Sequence, residues 1–219
     1  MAVTVVKICG LARAEDVAFC AQAGANLLGF VVNYPHPVPW NITPELATTL
    51  IAAAPANVPT CIVTGGPVAA IEALALTTGA NYVQLHNAET VDTTAAVVRA
   101  LAPHNIGVIK AIFPTTPEPE ATAHALETVG VTALLSDPRT PNNATASGPA
   151  DLDLYERLQA SVSCPVILAG GITPANLATL IARHSPSHID IMTGVETRPG
   201  VKDPAKVTAL FEVLAQVTS

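Results

Sequence analysis

The stretch Val3-Thr4-Val5-Val6-Lys7-Ile8-Cys9-Gly10 is a short, mostly apolar run that ends on a thiol and a glycine. Soon after it, Ala14-Glu15-Asp16-Val17 begins a segment with apolar residues at helical spacing. A strand followed at once by a helix is the repeating unit of α/β folds, whose substrates bind at the carboxyl ends of the strands. We therefore predict a catalytic role for Cys9, although most cysteines in such chains are packing residues.

The same alternation of strand and helix recurs until eight units have passed. The predicted strands are residues 4–9, 27–32, 60–64, 82–86, 108–113, 133–137, 166–169 and 189–193. The predicted helices are residues 15–23, 44–54, 68–77, 90–102, 118–128, 152–160, 174–182 and 204–216. Strands that are nearly continuously apolar fit a closed parallel barrel better than an open sheet, whose edge strands are more polar. We predict an α/β fold, a (β/α)8 TIM barrel, as a single domain over residues 1–219.

Composition excludes several classes of function. The chain has 219 residues, of which 50% are hydrophobic and 12% charged, with a net charge of -7, so no basic surface is available for nucleic acid. No apolar run approaches the roughly 18 residues that span a bilayer, and no secretory signal is visible, so we expect no membrane contact and a cytoplasmic location. The cysteines Cys9, Cys20, Cys61 and Cys164 include no C-x-x-C pair. We expect free thiols and no metal site.

Two connections at predicted strand ends are unusual. Residues 33–41 contain three prolines and a tryptophan, and residues 138–150 are polar and rich in turn residues. Long loops at this face usually serve binding. For residues 140–146 a variable connection without function is an equal alternative, whereas we interpret Ser147-Gly148 as functional.

A phosphate site is predicted where the seventh and eighth strands end. Gly170-Gly171 precedes a helix that a threonine caps and a proline begins, and Thr193-Gly194 follows the eighth strand. Glycine lets the backbone approach an oxyanion, and helix N-termini present unpaired amides. Either loop alone is more often a tight turn, but these two loops together form the usual phosphate site of this fold.

Asp137 ends the predicted sixth strand and is the natural partner of Cys9 at the catalytic face. Partial burial there is expected to raise the pKa of the carboxyl group toward the range of a general acid. The alternative is a turn aspartate before Pro138. Lys7, two residues before Cys9, points to the same side of its strand, where it either holds a thiolate or forms a structural ion pair.

Polar side chains also line one side of the predicted fourth strand. Gln84 and His86 alternate onto the same face, and we predict a substrate contact for them, with a hydrogen-bonded structural histidine as the equal alternative. Lys110 and Asp190 are interpreted as paired interior charges without a chemical role.

Several segments in this order resemble the phosphoribosylanthranilate isomerase family, and the resemblance spans almost the whole chain. They are Lys7-Ile8-Cys9-Gly10-Leu11, Glu15-Asp16-Val17, Ala23-Gly24-Ala25, Gly29-Phe30-Val31, Val83-Gln84-Leu85-His86, Asp137, Leu168-Ala169-Gly170-Gly171, Thr193-Gly194-Val195-Glu196 and Pro199-Gly200-Val201-Lys202-Asp203.

The resemblance implies a cofactor-free Amadori rearrangement in tryptophan biosynthesis, in which N-(5'-phosphoribosyl)anthranilate becomes the 1-amino-1-deoxyribulose phosphate. It implies that the residue matching Asp137 is the general acid that opens the ribose ring. The residue matching Cys9 is then the general base that removes the C2 proton. The loops of Gly171 and Gly194 would hold the phosphate.

The chain departs from the family pattern where an arginine usually holds the anthranilate carboxylate. Residues 33–43 contain no arginine, so Trp40, His36 and Arg139 are the candidates for contact with the anthranilate. Asn87 replaces a usual glycine, and the usual Gly-Gly-x-Gly loop is reduced to Ala146-Ser147-Gly148.

These departures leave two alternatives open. One is a related barrel isomerase or lyase for a different phosphosugar, and the other is a non-catalytic barrel that binds a phosphate ligand. A small-molecule phosphosugar is the expected partner in each case, and the chain is expected to be a monomer or a homodimer.

Overall fold

Eight parallel strands pair in chain order and the eighth pairs with the first, so the sheet closes into a barrel. The computed structural model describes residues 5–139 and 148–217. The barrel strands are β1 Val5–Ile8, β2 Leu27–Val31, β3 Thr60–Thr64, β4 Tyr82–Leu85, β5 Gly107–Ile112, β6 Ala133–Ser136, β7 Val166–Ala169 and β8 His188–Ile191. The predicted (β/α)8 TIM barrel is confirmed, since a helix follows each strand.

Within the described residues, eight α-helices surround the barrel in the order that the apolar spacing predicts. They are α1 Ala14–Ala23, α2 Pro44–Ala52, α3 Val68–Thr78, α4 Val91–Leu101, α5 Pro119–Thr128, α6 Leu152–Ser161, α7 Pro174–His184 and α8 Pro204–Val217. Thr173 caps α7 through a reciprocal pair of hydrogen bonds with Asn176, and Pro174 occupies the first turn. The cap and the proline agree with the sequence prediction.

Neighbouring residues of one strand belong to two separate layers of the core. Ile62 and Leu134 pack in the large cluster that includes the helices, whereas Cys61 and Leu135 pack in a smaller one. Because successive side chains point to opposite faces of a strand, the smaller cluster fills the interior of the barrel. Strands buried on both faces explain why the sequence runs are nearly continuously apolar.

A short antiparallel hairpin follows the barrel and was not predicted from the sequence. A 3-10 turn at Thr193–Val195 leads into β9 Glu196–Arg198, which pairs with β10 Val201–Lys202. The amide of Lys202 donates a hydrogen bond to Asp16 at the start of α1. The hairpin therefore lies against the connection between β1 and α1, at the end of the barrel where Cys9 is placed.

The proline-rich connection 33–41 is held by the side chain of Asn41, which bonds both the amide and the carbonyl of Tyr34. Residues 140–147, with Ser147 among them, lie outside the described residues. All four cysteines are free thiols, as expected. No helix within residues 5–139 or 148–217 is long and apolar enough to cross a membrane.

Candidate active site

A cavity opens at the carboxyl ends of the barrel strands, and most of the predicted site residues lie on its wall. Among them are Cys9, Trp40, Gln84, His86, Asp137, Arg139, Gly148, Gly170, Gly171, Thr193 and Gly194. Because these residues come from the ends of different strands, closure of the barrel is what brings them together. Lys7 and His36 are not on this wall.

Lys7 forms a buried ion pair instead of contacting the cavity. Its Nζ lies 2.7 Å from Oδ2 of Asp190, its neighbour in the pairing of β1 with β8. Burial alone would lower the pKa of Lys7, but the negative charge of Asp190 and its hydrogen bond to Lys7 act in the opposite direction, and the pKa is raised. Asp190 and Lys110 are paired interior charges as predicted, Lys110 with Glu89 at 3.0 Å.

Cys9 follows β1 and is 4% exposed, and its amide donates to the carbonyl of Ile191. A Cβ built at Gly29 would lie 2.9 Å from the Cys9 Sγ, so the glycine in β2 provides the space that the thiol occupies. Burial raises the pKa of the Cys9 thiol, and the nearby charge of Lys7 offsets part of this. The free chain therefore holds Cys9 as a thiol.

Asp137 is buried after β6 and is held by Arg139. The amide and Nε of Arg139 each donate to Oδ1 at 2.9 Å, and Nη2 donates to Oδ2 at 2.7 Å. Burial would raise the pKa of the carboxyl group, but the hydrogen bonds and the charge of Arg139 outweigh it and lower the pKa. The prediction that burial raises the pKa of Asp137 is therefore wrong for the free chain.

His86 is fixed between Gln84, Tyr34 and Asp137. Its Nδ1 lies 3.1 Å from Nε2 of Gln84, and its Nε2 lies 3.5 Å from Oδ2 of Asp137. Burial lowers the pKa of His86 to about 4, although Asp137 raises it in part. The imidazole is therefore neutral, and the amide of Gln84 donating to Nδ1 places the ring proton on Nε2, facing Asp137.

Two buried oxygen atoms on the cavity wall are unsatisfied. Oε1 of Gln84 and Oδ1 of Asp190 accept no hydrogen bond within the part of the chain that the structure describes. Buried polar atoms are nearly always paired. These two residues line the cavity, but the two oxygens themselves are buried acceptors without a donor among the described residues.

The glycine loops after β7 and β8 pack so closely that side chains are excluded. A Cβ at Gly194 would lie 1.8 Å from the carbonyl oxygen of Ile172, and one at Gly171 would lie 2.6 Å from that of Gly148. The amides of Gly171 and Gly194 donate to no acceptor among the described residues. Backbone donors next to the N-terminus of α7 suit an anion such as phosphate.

A buried network behind Cys9 was missed by the sequence analysis. Nε1 of Trp40 donates to both carboxylate oxygens of Glu196 at 3.1 and 3.0 Å. Nζ of Lys202 donates to Glu196 Oε1 at 2.8 Å and to the carbonyl of Cys9 at 2.5 Å. The motif that carries Glu196 and Lys202 was visible in the sequence, but nothing there indicated their contact with Trp40 and Cys9.

The three candidates for an anthranilate contact differ in their placement. Trp40 and Arg139 lie on the cavity wall. His36 instead contacts Asn87, with 3.1 Å between Nε2 and Oδ1, beside a neighbouring depression. Arg139 alone among the three offers a planar pair of charged donors.

Comparison with known proteins gives a consistent result along the chain. The family model described as N-(5'phosphoribosyl)anthranilate (PRA) isomerase matches residues 6–213. An N-(5'-phosphoribosyl)anthranilate isomerase from Thermosynechococcus vestitus is 36% identical over 212 residues, which cover 95% of this chain and 89% of that protein.

Solved structures agree with the sequence comparison. The phosphoribosyl anthranilate isomerase from Thermus thermophilus superposes with a TM-score of 0.81 at 32% identity, covering 98% of this chain and 100% of that one. A second isomerase was solved in complex with reduced 1-(o-carboxyphenylamino)-1-deoxyribulose 5-phosphate. It has a TM-score of 0.77 at 27% identity, covering 97% of this chain and 99% of that one.

Proposed function

Because the chain belongs to the N-(5'-phosphoribosyl)anthranilate isomerase family, we propose that Cys9 and Asp137 carry the proton transfers of its reaction. The chain is an isomerase of tryptophan biosynthesis, an intramolecular oxidoreductase that converts N-(5'-phosphoribosyl)anthranilate into 1-(o-carboxyphenylamino)-1-deoxyribulose 5-phosphate. Family membership favours this activity over a different phosphosugar reaction and over a non-catalytic binding barrel.

The observation that carries the proposal is a thiol at the end of β1 and a carboxyl group at the end of β6 on one cavity wall. Asp137 gives a proton to the ribose ring oxygen, the bond from that oxygen to C1 breaks, and the anthranilate nitrogen forms a double bond to C1, which gives the protonated Schiff base. Cys9, as thiolate, takes the proton from C2 and leaves an enolamine. The enolamine becomes the amino ketone when C1 gains a proton and the C2 hydroxyl loses one, so the number of protons balances.

The lowered pKa of Asp137 and the raised pKa of Cys9 match the protonation states that follow the proton transfers from Asp137 and to Cys9. Asp137 is then a carboxylate and Cys9 a thiol. One proton must return from the thiol to the carboxyl group before the next turnover. A pair of groups that shares one proton in this way is a common arrangement for proton shuttling.

The remaining parts of the substrate match other groups on the wall. The amides of Gly171 and Gly194, with Gly148, Gly170 and Thr193 beside them, hold the phosphate. Gln84 and His86, which line the cavity at the end of β4, lie on the side of the sugar hydroxyls.

At the anthranilate end, the ring lies against Trp40, and its carboxylate binds Arg139. Lys7 acts behind the wall, where its charge favours the thiolate form of Cys9.

The partner of the chain is accordingly a small-molecule phosphosugar. We place the protein in the cytoplasm, because four free thiols suit a reducing compartment.

The test is turnover of freshly prepared N-(5'-phosphoribosyl)anthranilate, followed by fluorescence, for wild type, Cys9→Ser and Asp137→Asn. Each variant is expected to lose at least about 100-fold in kcat while its circular dichroism spectrum is retained. Cys164→Ser and Asp153→Asn, which change residues of the same types away from the cavity, serve as controls and are expected to keep wild-type kcat. Retained turnover in Cys9→Ser or Asp137→Asn would contradict the assigned role.

A further inference from the structure

We propose that Arg139 is a clamp that the substrate releases: it holds the Asp137 carboxylate in the free chain and moves to the anthranilate carboxylate when substrate binds. Asp137 is then able to carry the proton that opens the ribose ring. This inference rests on the proposed role of Asp137 as the general acid.

The clamp is a charge-assisted fork. Nε and Nη2 of Arg139 donate to the two different oxygens of Asp137, at 2.9 and 2.7 Å. This is the bidentate geometry in which an arginine binds any planar carboxylate. The Arg139 side chain is 16% exposed and lies on the cavity wall, so a second carboxylate that enters the cavity competes for the same fork.

Arg139 is the one lysine or arginine on that wall among the described residues. The substrate brings two anionic groups, a phosphate and a ring carboxylate. The glycine amides are suited to the phosphate, and the imidazole of His86 is neutral because burial lowers its pKa to about 4. A carboxylate buried without a charged partner is costly. Arg139 is therefore the group that can bind the carboxylate.

The lysines near the site are already paired with other carboxylates. Lys7 lies 2.7 Å from Asp190, and Lys110 lies 3.0 Å from Glu89. The other titratable groups that couple to Asp137, His86 or Arg139 are Tyr34 and Cys9. Once the fork leaves, burial is the dominant influence on Asp137, and burial favours its protonated form.

The backbone keeps Asp137 in place while the guanidinium moves. The amide of Arg139 also donates to Oδ1, at 2.9 Å, and this bond does not depend on the side chain. Pro138, between the two residues, is packed against Gly170, where an added Cβ would lie 2.5 Å from its ring. The turn is therefore anchored, so loss of the fork changes the charge around Asp137 more than its position.

The first test compares the natural substrate with N-(5'-phosphoribosyl)aniline, which lacks the ring carboxylate. Wild type is expected to lose at least about 100-fold in kcat on the analogue, because the clamp stays closed and the acid is lost. Arg139→Gln is expected to turn over both compounds with nearly equal kcat and with a raised KM for the natural substrate. Arg157→Gln, which changes an arginine on α6 away from the cavity, is the matched control and should behave as wild type.

The second test measures the ionisation of Asp137 directly, by 13C NMR of its carboxyl carbon across a pH titration, with Asp137→Asn for assignment. Binding of reduced 1-(o-carboxyphenylamino)-1-deoxyribulose 5-phosphate is expected to raise the pKa of Asp137 in wild type. In Arg139→Gln that pKa is expected to be raised already in the free protein.

The proposed clamp is contradicted if wild type shows a raised KM but an unchanged kcat on the analogue. It is also contradicted if Asp137 stays ionised when the reduced product is bound. Either result leaves the proposed function standing, because the natural substrate is still converted. Failure of the proposed function looks different, since Asp137→Asn would then keep its kcat on the natural substrate.

Discussion

His86 makes the stability of the fold depend on pH. Burial lowers the pKa of its imidazole from 6.5 to about 4 in the folded chain, although Asp137 offsets part of that effect. Between these two pH values the unfolded chain binds more protons than the folded one, so stability rises with pH. We expect the free energy of unfolding to fall by on the order of 3 kcal/mol as pH drops through this window.

Urea denaturation at a series of pH values measures this effect, with His86→Gln as the test variant. The slope between pH 6.5 and about 4 should flatten in His86→Gln and remain in a variant of the exposed His104. Asp137 affects stability at lower pH. Its pKa is lower in the folded chain than in the unfolded one, so its contribution to the free energy of unfolding is complete above the ordinary pKa of 3.8 and is lost as the pH falls below it. Equal slopes in wild type and His86→Gln would contradict the prediction.

At the scale of single residues, the sequence predicts positions better than charge states. Cys9, Gln84, His86 and Asp137 were placed on the cavity wall because strand alternation is local and regular. The predicted direction of the pKa shift of Asp137 was wrong. The actual direction depends on whether the Arg139 side chain turns toward Asp137 or into the cavity. Spacing along the chain carries no information about that choice.

The hairpin of β9 and β10 stabilises the catalytic end of the barrel through one buried charge. Lys202 is fully buried, bonds Glu196 at 2.8 Å and also donates to the carbonyl of Cys9. Removing its charge with Lys202→Met leaves the Glu196 carboxylate buried without its cation. We expect a loss of about 3–5 kcal/mol in the free energy of unfolding and a lower kcat, since the backbone of Cys9 loses a donor.

The matched control for Lys202→Met is Arg157→Met on α6, whose side chain is 47% exposed. Its ion pair with Glu120 spans 2.6 Å, and an exposed pair of this kind contributes about 1 kcal/mol or less. Both variants are compared by urea denaturation and by turnover. Equal destabilisation of the two would show that the buried network does not hold the hairpin.

At the scale of elements, the eight barrel strands were predictable and the hairpin was not. Each barrel strand is a mostly apolar, largely buried run of four to six residues, and a segment with helical spacing of apolar residues follows it. β9 and β10 have three and two residues, and the first is largely exposed, so they carry no periodic signal. Their place is fixed by the Lys202 and Glu196 contacts, which join residues far apart in the sequence.

For the whole molecule, the order of the strands could be read from the sequence because every crossover is local and right-handed connections leave few alternatives. The pairing of interior charges could be only partly anticipated. Lys7 and Asp190 are separated by 183 positions and meet only because β8 closes the barrel on β1. A contact that forms when the barrel closes joins two distant segments of the chain. A sequence motif contains only one of the two residues, so it does not reveal the contact.

The surface of the whole molecule predicts a monomer. Among the described residues the exposed large hydrophobic side chains are Leu46, Leu76 and Val217, on three different helices. A stable homodimer buries at least about 800 Å² per partner around an apolar centre, and these three side chains do not form one by themselves. Each chain also carries a net charge of -7, so two copies repel each other. Light scattering after size exclusion should therefore give 22.4 kDa across a range of protein concentrations. A mass of twice that value, unchanged on dilution, would contradict the prediction and would require an interface built mainly from polar helix faces.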